Sequence, residues 1–319
     1  MIDSSLPNLE LIKHLTLSGD DRTLRRRFER GEVVRVRPGV YLASAVWNAL
    51  DADARYRVRV AATATATQHG TQFSHDSAAA MLRLPSLGPW SRDLHILSRR
   101  VPSGRSRAGL RRHALGLDDR AVQVNDFSVT SLARTVIDVS CTSAFMRAVG
   151  MADDALRAPE KGDFRFAMGL DALAPSDLWA ELDRLAPYYG SVRARHVLNF
   201  ANGKSGSLGE SISRVNIHFL GFPPPMLQVP FSDAEGFIGF ADFYWPELDA
   251  IGEFDGAVKY RNKTYLRGRL PEDAVIAEKY REDRMRAVVR SFARWDWSVA
   301  NDRARLAERL RPLGLMRLR

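Results

Sequence analysis

The sequence predicts a multidomain α+β protein, and three observations carry that prediction. The chain has 319 residues, room for several domains at about 100–200 residues each. Its first stretch reads helix, turn, basic helix, hairpin. Its last third mixes helical periodicity with a pair of apolar strands, Gly239 to Lys259, whose pattern is broken in phase by carboxylates.

Composition narrows the function. Apolar content of 45% and charged content of 27% are those of an ordinary globular chain and exclude a disordered one. A formal charge of +9 and a pI near 10 point to a polyanionic partner. Arginine supplies most of that charge, and its planar fork suits phosphate oxygens and guanine edges. Nucleic acid is favoured over membrane, because no apolar run approaches the roughly 18–20 residues of a spanning helix and the N-terminus lacks the pattern of a secretion signal. A cytoplasmic location is expected. The lone Cys141 excludes disulfides within one chain and a thiolate-rich zinc site.

Residues 1–47 are expected to form a winged helix-turn-helix. Leu9, Leu11, Ile12 and Leu15 can line one helix face; Ser18-Gly19-Asp20-Asp21 turns the chain and caps a second helix, Arg22 to Arg30. Gly31 closes that helix, and Val33 to Val36 and Val40 to Leu42 flank a turn at Pro38-Gly39. Arg22, Arg25, Arg26, Arg27 and Arg30 decorate the second helix, with Arg35 and Arg37 on the wing. Over residues 22–37, seven arginines against Glu29 and Glu32 leave a charge of +5, concentrated on the element that would enter a groove, so this segment is expected to bind DNA.

Residues 48–157 read as an α/β module. A helix from Arg55 to His69 precedes Ser74-His75-Asp76, where Ser74 or Asp76 can cap another helix running to Leu84. Strands are expected around Leu94 to Leu97, Gly109 to His113 and Ala121 to Phe127, and a helix from Thr130 through Asp138. The run containing Arg99, Arg100, Arg105, Arg107, Arg111 and Arg112 has no acidic residue. His75 and His95 read as cap or packing residues, because no partner nucleophile is apparent. Cys141 reads as a small buried residue.

Residues 158–190 are expected to hold a linker, Ala158 to Asp163, and a helix around Leu178, Leu182 and Leu185; the last domain is 191–319. Its first helix is expected from Ser191 to Phe200. A second carries Glu210 in its first turn, where an acid also suits the helix dipole, and stops at Gly221. Pro223-Pro224-Pro225 must be extended before Leu227-Gln228-Val229. Phe237 to Trp245 and a second strand ending near Lys259 are joined by Trp245-Pro246-Glu247-Leu248-Asp249. Phe240, Asp242 and Tyr244 share one face, as do Ile251, Glu253 and Asp255, which places Glu253 and Asp255 roughly 6–7 Å apart. Carboxylates inside an apolar sheet need neutralising. A divalent cation with oxygen ligands does that, as do nearby arginines. A helix with Lys279, Arg281 and Arg284, a last strand Phe292 to Trp297 and a terminal helix follow.

Helix with Glu210, strand, strand with Asp242, strand with Glu253-Phe254-Asp255-Gly256, then Lys259: this order resembles the PD-(D/E)xK nuclease superfamily, in particular the branch similar to very-short-patch repair endonucleases. Ser207 to Ser211, Pro223 to Gln228, Glu253 to Tyr260 and Glu278 to Arg284 are the segments that match. Arg35 to Tyr41, Ser74 to Ala79 and Thr130 to Thr135 are similar to AbiEi-type antitoxins. The resemblance implies a restriction-endonuclease-like α/β domain with a mixed sheet flanked by helices, and Mg²⁺ or Mn²⁺ as cofactor. It implies Asp242, Glu253 and Asp255 as metal ligands and Glu210 as their support. It also implies Lys259 beside the phosphate, with Lys279 and Arg281 meeting nucleic acid. Where the superfamily has a lysine two residues after the glutamate, this chain has Asp255. Either Lys259, four positions on, reaches inward, or Asp255 binds metal and Lys259 or Lys279 meets the scissile phosphate.

The expected function is a metal-dependent endonuclease on double-stranded DNA in a phage-defence or toxin-antitoxin setting, with a homodimer or a cognate toxin as protein partner. The alternative is a DNA-binding antitoxin and autorepressor whose nuclease-like domain is silent. A nucleotide- or RNA-directed enzyme ranks last for want of a glycine-rich phosphate cradle.

Overall fold

A computed structural model describes residues 10–11, 21–66, 71–98, 109–114, 121–124, 126–256 and 271–318. The described residues form thirteen helices and three sheets, and no helix among them is long and apolar enough to cross a membrane. The chain groups into two compact units, residues 1–151 with 158–199, and residues 152–157 with 200–319.

In the first unit, β1 (Glu10–Leu11), β2 (Val33–Arg37) and β3 (Val40–Ala43) form a sheet of order β1-β3-β2, preceded at β2 by helix α1 (Asp21–Glu29). Leu24, Val33, Val40 and Leu42 are its buried core. Gly39, at φ +82°, supplies the left-handed turn that the hairpin needs. Glu10 and Leu11 pair with Tyr41 and Val40, so the expected helix face through Leu9 to Leu15 is corrected there. A short apolar run fits both periods, and the free edge of β3 selects the strand. Residues 12–20, which hold the expected capping turn, lie outside the described residues.

Helices α2 (Ser44–Ala49) and α3 (Ala52–Ala66) lead into a five-stranded sheet. Its strands are β4 (Gln72–Phe73), β5 (Leu94–Leu97), β6 (Leu110–His113), β7 (Val122–Val124) and β8 (Phe127–Val129), in the order β6-β5-β4-β8-β7. The single strand expected from Ala121 to Phe127 is instead an antiparallel hairpin of β7 and β8, with Asp126, a turn-favouring residue, in the turn before β8. Helix α4 (His75–Met81) and α5 (Leu132–Thr142) pack against each other. Ser131 caps α5 by accepting from the Arg134 amide, and Cys141 is buried as expected. Helices α6 (Phe145–Leu156), α7 (Phe164–Ala167), α8 (Pro175–Arg184) and α9 (Ser191–Phe200) follow.

The second unit begins with the end of α6, where Asp153 accepts from the Asn202 amide at 2.7 Å and lies 3.5 Å from Arg214. Helix α10 (Leu208–Phe219) precedes an antiparallel meander of β9 (Met226–Asp233), β10 (Gly236–Trp245) and β11 (Ala250–Phe254). Helix α11 (Pro271–Ala287) lies in sequence between β11 and β12 (Ser291–Trp295), which pair parallel and so need such a crossover. The mixed sheet has the order β12-β11-β10-β9. Helices α12 (Trp297–Ala300) and α13 (Arg303–Leu310) end the unit. One core gathers Ile217, Phe243, Trp245, Phe254, Trp295, Leu306 and Leu310; a second gathers Ile238, Ala241, Ile251 and Met285. Gly209 lets α10 close on β11, since a Cβ there would stand 2.0 Å from the Phe254 ring.

Candidate functional site

Asp242 and Glu253 come together because β10 and β11 pair antiparallel. The register Tyr244 to Ile251 and Phe243 to Gly252, continued by one position, sets Asp242 opposite Glu253 with both side chains on one face. The joining turn spans Pro246–Leu248, and Asp249 closes it in a left-handed conformation, φ +47°. Asp242 Oδ2 accepts from the Phe254 amide at 2.9 Å, which ties the end of β10 to the end of β11.

Glu210 comes from α10, which packs on the other face of the sheet, against Phe254, and Gln228 links it to Asp242. The helix is capped by Ser207, whose hydroxyl accepts from the Glu210 amide at 3.3 Å and donates to Glu210 Oε1 at 2.9 Å. Glu210 Oε2 accepts from the Gly206 amide at 2.7 Å and from Gln228 at 3.1 Å. Gln228 is the residue that sequence reasoning missed. Its Nε2 donates to Glu210 and also to Asp242 Oδ1 at 3.0 Å, bridging the two acids. It holds a left-handed backbone, φ +51°, inside β9, a conformation that costs a non-glycine residue about 1–2 kcal/mol. Its one available signal is being the polar residue within Met226-Leu227-Gln228-Val229.

Glu253 is neutralised by an arginine. Arg281 of α11 donates to its two oxygens at 3.0 and 2.7 Å and to Glu278 at 3.0 and 2.9 Å. Glu253 is 4% exposed, and burial raises its pKa; Arg281 pulls it down while Asp242 and Glu278 push it further up. Asp255 lies 3.2 Å from Arg294, which also pairs with Glu278 and Glu282. The other oxygen of Asp255, Oδ1, is buried with no hydrogen-bond partner among the described residues. Two arginines thus sit among Glu253, Asp255, Glu278 and Glu282.

The structure brings Glu210, Asp242, Glu253 and Asp255 to one end of the sheet of the second unit. Lys259 lies outside the described residues. Lys279 is exposed on α11, whereas Arg281 is turned onto Glu253. In the first unit, Arg22, Arg25, Arg26 and Arg35 are exposed. Arg25 pairs with Glu29 and Arg27 with Glu32. Arg37 donates to the Gly109 carbonyl at 3.0 Å, and burial first, then the charge of Arg59, lowers its pKa.

Carboxylate oxygens are hard donors suited to magnesium or manganese, but among the described residues Glu210, Asp242, Glu253 and Asp255 do not form a group whose ligand atoms all lie within 4.8 Å of one another; Asp242 is held by Gln228 and the Phe254 amide, Glu253 by Arg281, and Asp255 lies beside Arg294. No family model matches the chain, and no curated protein matches it significantly in sequence.

Proposed function

We propose that the chain is a metal-dependent endonuclease that hydrolyses phosphodiester bonds in double-stranded DNA, in a defence or toxin-antitoxin setting. One observation carries the reading: the register of β10 and β11, continued by one position, sets Asp242 opposite Glu253, and Asp255 beyond it has a buried oxygen with no hydrogen-bond partner among the described residues. The order of elements, α10, three antiparallel strands, α11 and a parallel fourth strand, agrees with the nuclease resemblance of Glu210, Asp242 and Glu253-Phe254-Asp255.

On this reading Asp242, Glu253 and Asp255 hold the ion. Glu210 acts through Gln228, which keeps the Asp242 carboxylate oriented. The ion, when bound, supplies a water of lowered pKa and a counter-charge for the leaving oxygen. Arg281 stands in for that positive charge beside Glu253 and must release at least one Glu253 oxygen to it. Lys259 or Lys279 meets the phosphate. The exposed arginines of α1 and β2 hold the duplex through its backbone, with some base readout.

Incubating supercoiled plasmid with magnesium and the wild-type chain should give nicked or linear DNA, and Glu253→Ala should not cut. Equal cutting by both removes the assigned site.

A second reading is favoured by the grip of Arg281 on both oxygens of Glu253. It makes the chain a DNA-binding antitoxin and autorepressor whose nuclease-like unit is silent. A footprint over its own promoter, without metal-dependent cleavage of any substrate, would establish it.

A further inference from the structure

Three histidines in the first unit lie together; the sequence reads two of them, His75 and His95, as cap or packing residues. β5 and β6 pair parallel, with Leu97 beside His113 and His95 beside Arg111; His75 opens α4 next to them. The ring centroids of His75 and His113 are 3.8 Å apart, and those of His95 lie 5.1 Å from each. Among the described residues, these three form the group whose ligand atoms all fall within 4.8 Å of one another.

Their surroundings suit neutral imidazoles. His75 and His95 are buried and His113 is half-buried. Burial lowers the pKa of all three, and within the group His95 and His113 lower that of His75 while His95 lowers that of His113; His95 and His113 come down to about 4. The neutral ring is the form that binds a metal. His95 Nδ1 and His113 Nε2 stand 2.9 Å apart, and His95 Nε2 meets the Ser91 hydroxyl at 3.2 Å.

A carboxylate stands behind His75. Asp138 of α5 is fully buried and spends Oδ1 on Arg134 at 2.8 Å and Tyr188 at 2.6 Å. Its Oδ2 lies 3.3 Å from His75 Nδ1 and takes no hydrogen bond among the described residues. The Ser74 hydroxyl is 3.1 Å from the same nitrogen. Both neighbours stand beside Nδ1, which leaves Nε2 as the His75 atom open to a metal. A carboxylate behind a ligating imidazole is how proteins fix ring orientation at zinc sites. His75 also holds a left-handed backbone, φ +50°, the kind of local strain that persists where the surroundings demand one side-chain position.

We propose that His75, His95 and His113 form a binding site for a borderline-soft divalent transition metal, zinc first, with Asp138 orienting His75. Imidazole donors select such ions over magnesium. Three protein ligands leave a fourth position for water or an anion. The ion would link the start of α4 to β5 and β6. The site belongs to the first unit and uses none of the residues of the hydrolase reading.

The test is zinc titration of the metal-stripped full chain against a competing chromophoric chelator, with cobalt as a spectroscopic probe. The wild type should bind one zinc with submicromolar affinity and show the visible bands of four-coordinate cobalt. His95→Gln with His113→Gln should weaken zinc at least 100-fold. Asp138→Asn should weaken it by roughly 10–100-fold with stoichiometry unchanged. Asp242→Asn should bind zinc as the wild type does, which separates this outcome from that of the cleavage assay. No zinc uptake by the wild type at micromolar concentration overturns the proposal. So does unchanged affinity in the histidine variant, and wild-type cobalt spectra lacking those bands do so even if the variants misfold.

Discussion

Arg281 closes on both oxygens of Glu253, at 3.0 and 2.7 Å, across the face where Asp242 opposes the same glutamate. The side chain of Glu253 is 5% exposed and that of Arg281 24%, so breaking the pair leaves a buried charge uncompensated. Arg281→Gln should destabilise the second unit by about 3 kcal/mol, the lower end for a buried pair because Arg281 is partly in water. Urea denaturation measures it, and Arg281→Gln with Glu253→Gln should be less destabilised than the sum of the single variants. A loss within about 0.5 kcal/mol would show that the pair is solvated.

Gln228 joins the two acids that the sequence separates by a whole strand. Removing its amide in Gln228→Ala takes one donor from Glu210 and one from Asp242. Metal-dependent cleavage should fall by roughly 10–100-fold, as for other groups that orient ligands, while the fold is kept. Cleavage at the wild-type rate would mean that the amide only packs.

Asp153 predicts a pH dependence. Burial raises its carboxyl to about 6 from an ordinary value of 3.8, with Arg214 pulling the other way. The folded state therefore binds this proton more tightly than the unfolded chain. Its contribution to stability is complete below pH 3.8 and is lost as the pH rises through 6. At 1.36 kcal/mol per pKa unit the loss is about 3 kcal/mol. Asp153→Asn does not titrate, so its stability relative to the wild type should improve by most of that amount between pH 4 and 7. A difference that stays flat with pH contradicts the raised carboxyl.

The basic face of α1 predicts a salt dependence. Arg22 and Arg26 are exposed there, while Arg25 and Arg27 have acidic neighbours. Replacing Arg22 and Arg26 by alanine should weaken duplex binding for every sequence and lower the slope of log affinity against log salt by about 2. An unchanged slope would place the duplex elsewhere.

What could be read from the chain, and what could not, follows from the range of each signal. The strand pair of Asp242 and Glu253 was readable because acids interrupt an apolar alternation in phase, and the turn at Pro246 to Asp249 fixes the register. The acid in the first turn of α10 was readable because its signal is local. The left-handed backbone of Gln228 was not, since nothing in a glutamine announces it. Nor was the Arg281 pair, which joins a helix to a strand 28 positions away. His95 and His113 are 18 positions apart, and only the parallel pairing of β5 and β6 makes them neighbours. At Glu10 and Leu11 the apolar pattern fitted two periods, and tertiary pairing decided between them.

On the reading proposed above, carboxylates of the second unit hold a hard cation, and calorimetric titration with manganese is the measurement that decides it. The wild type, Arg26→Ala and His113→Gln should bind manganese, and Asp242→Asn should not. Manganese bound by Asp242→Asn as tightly as by the wild type would contradict it.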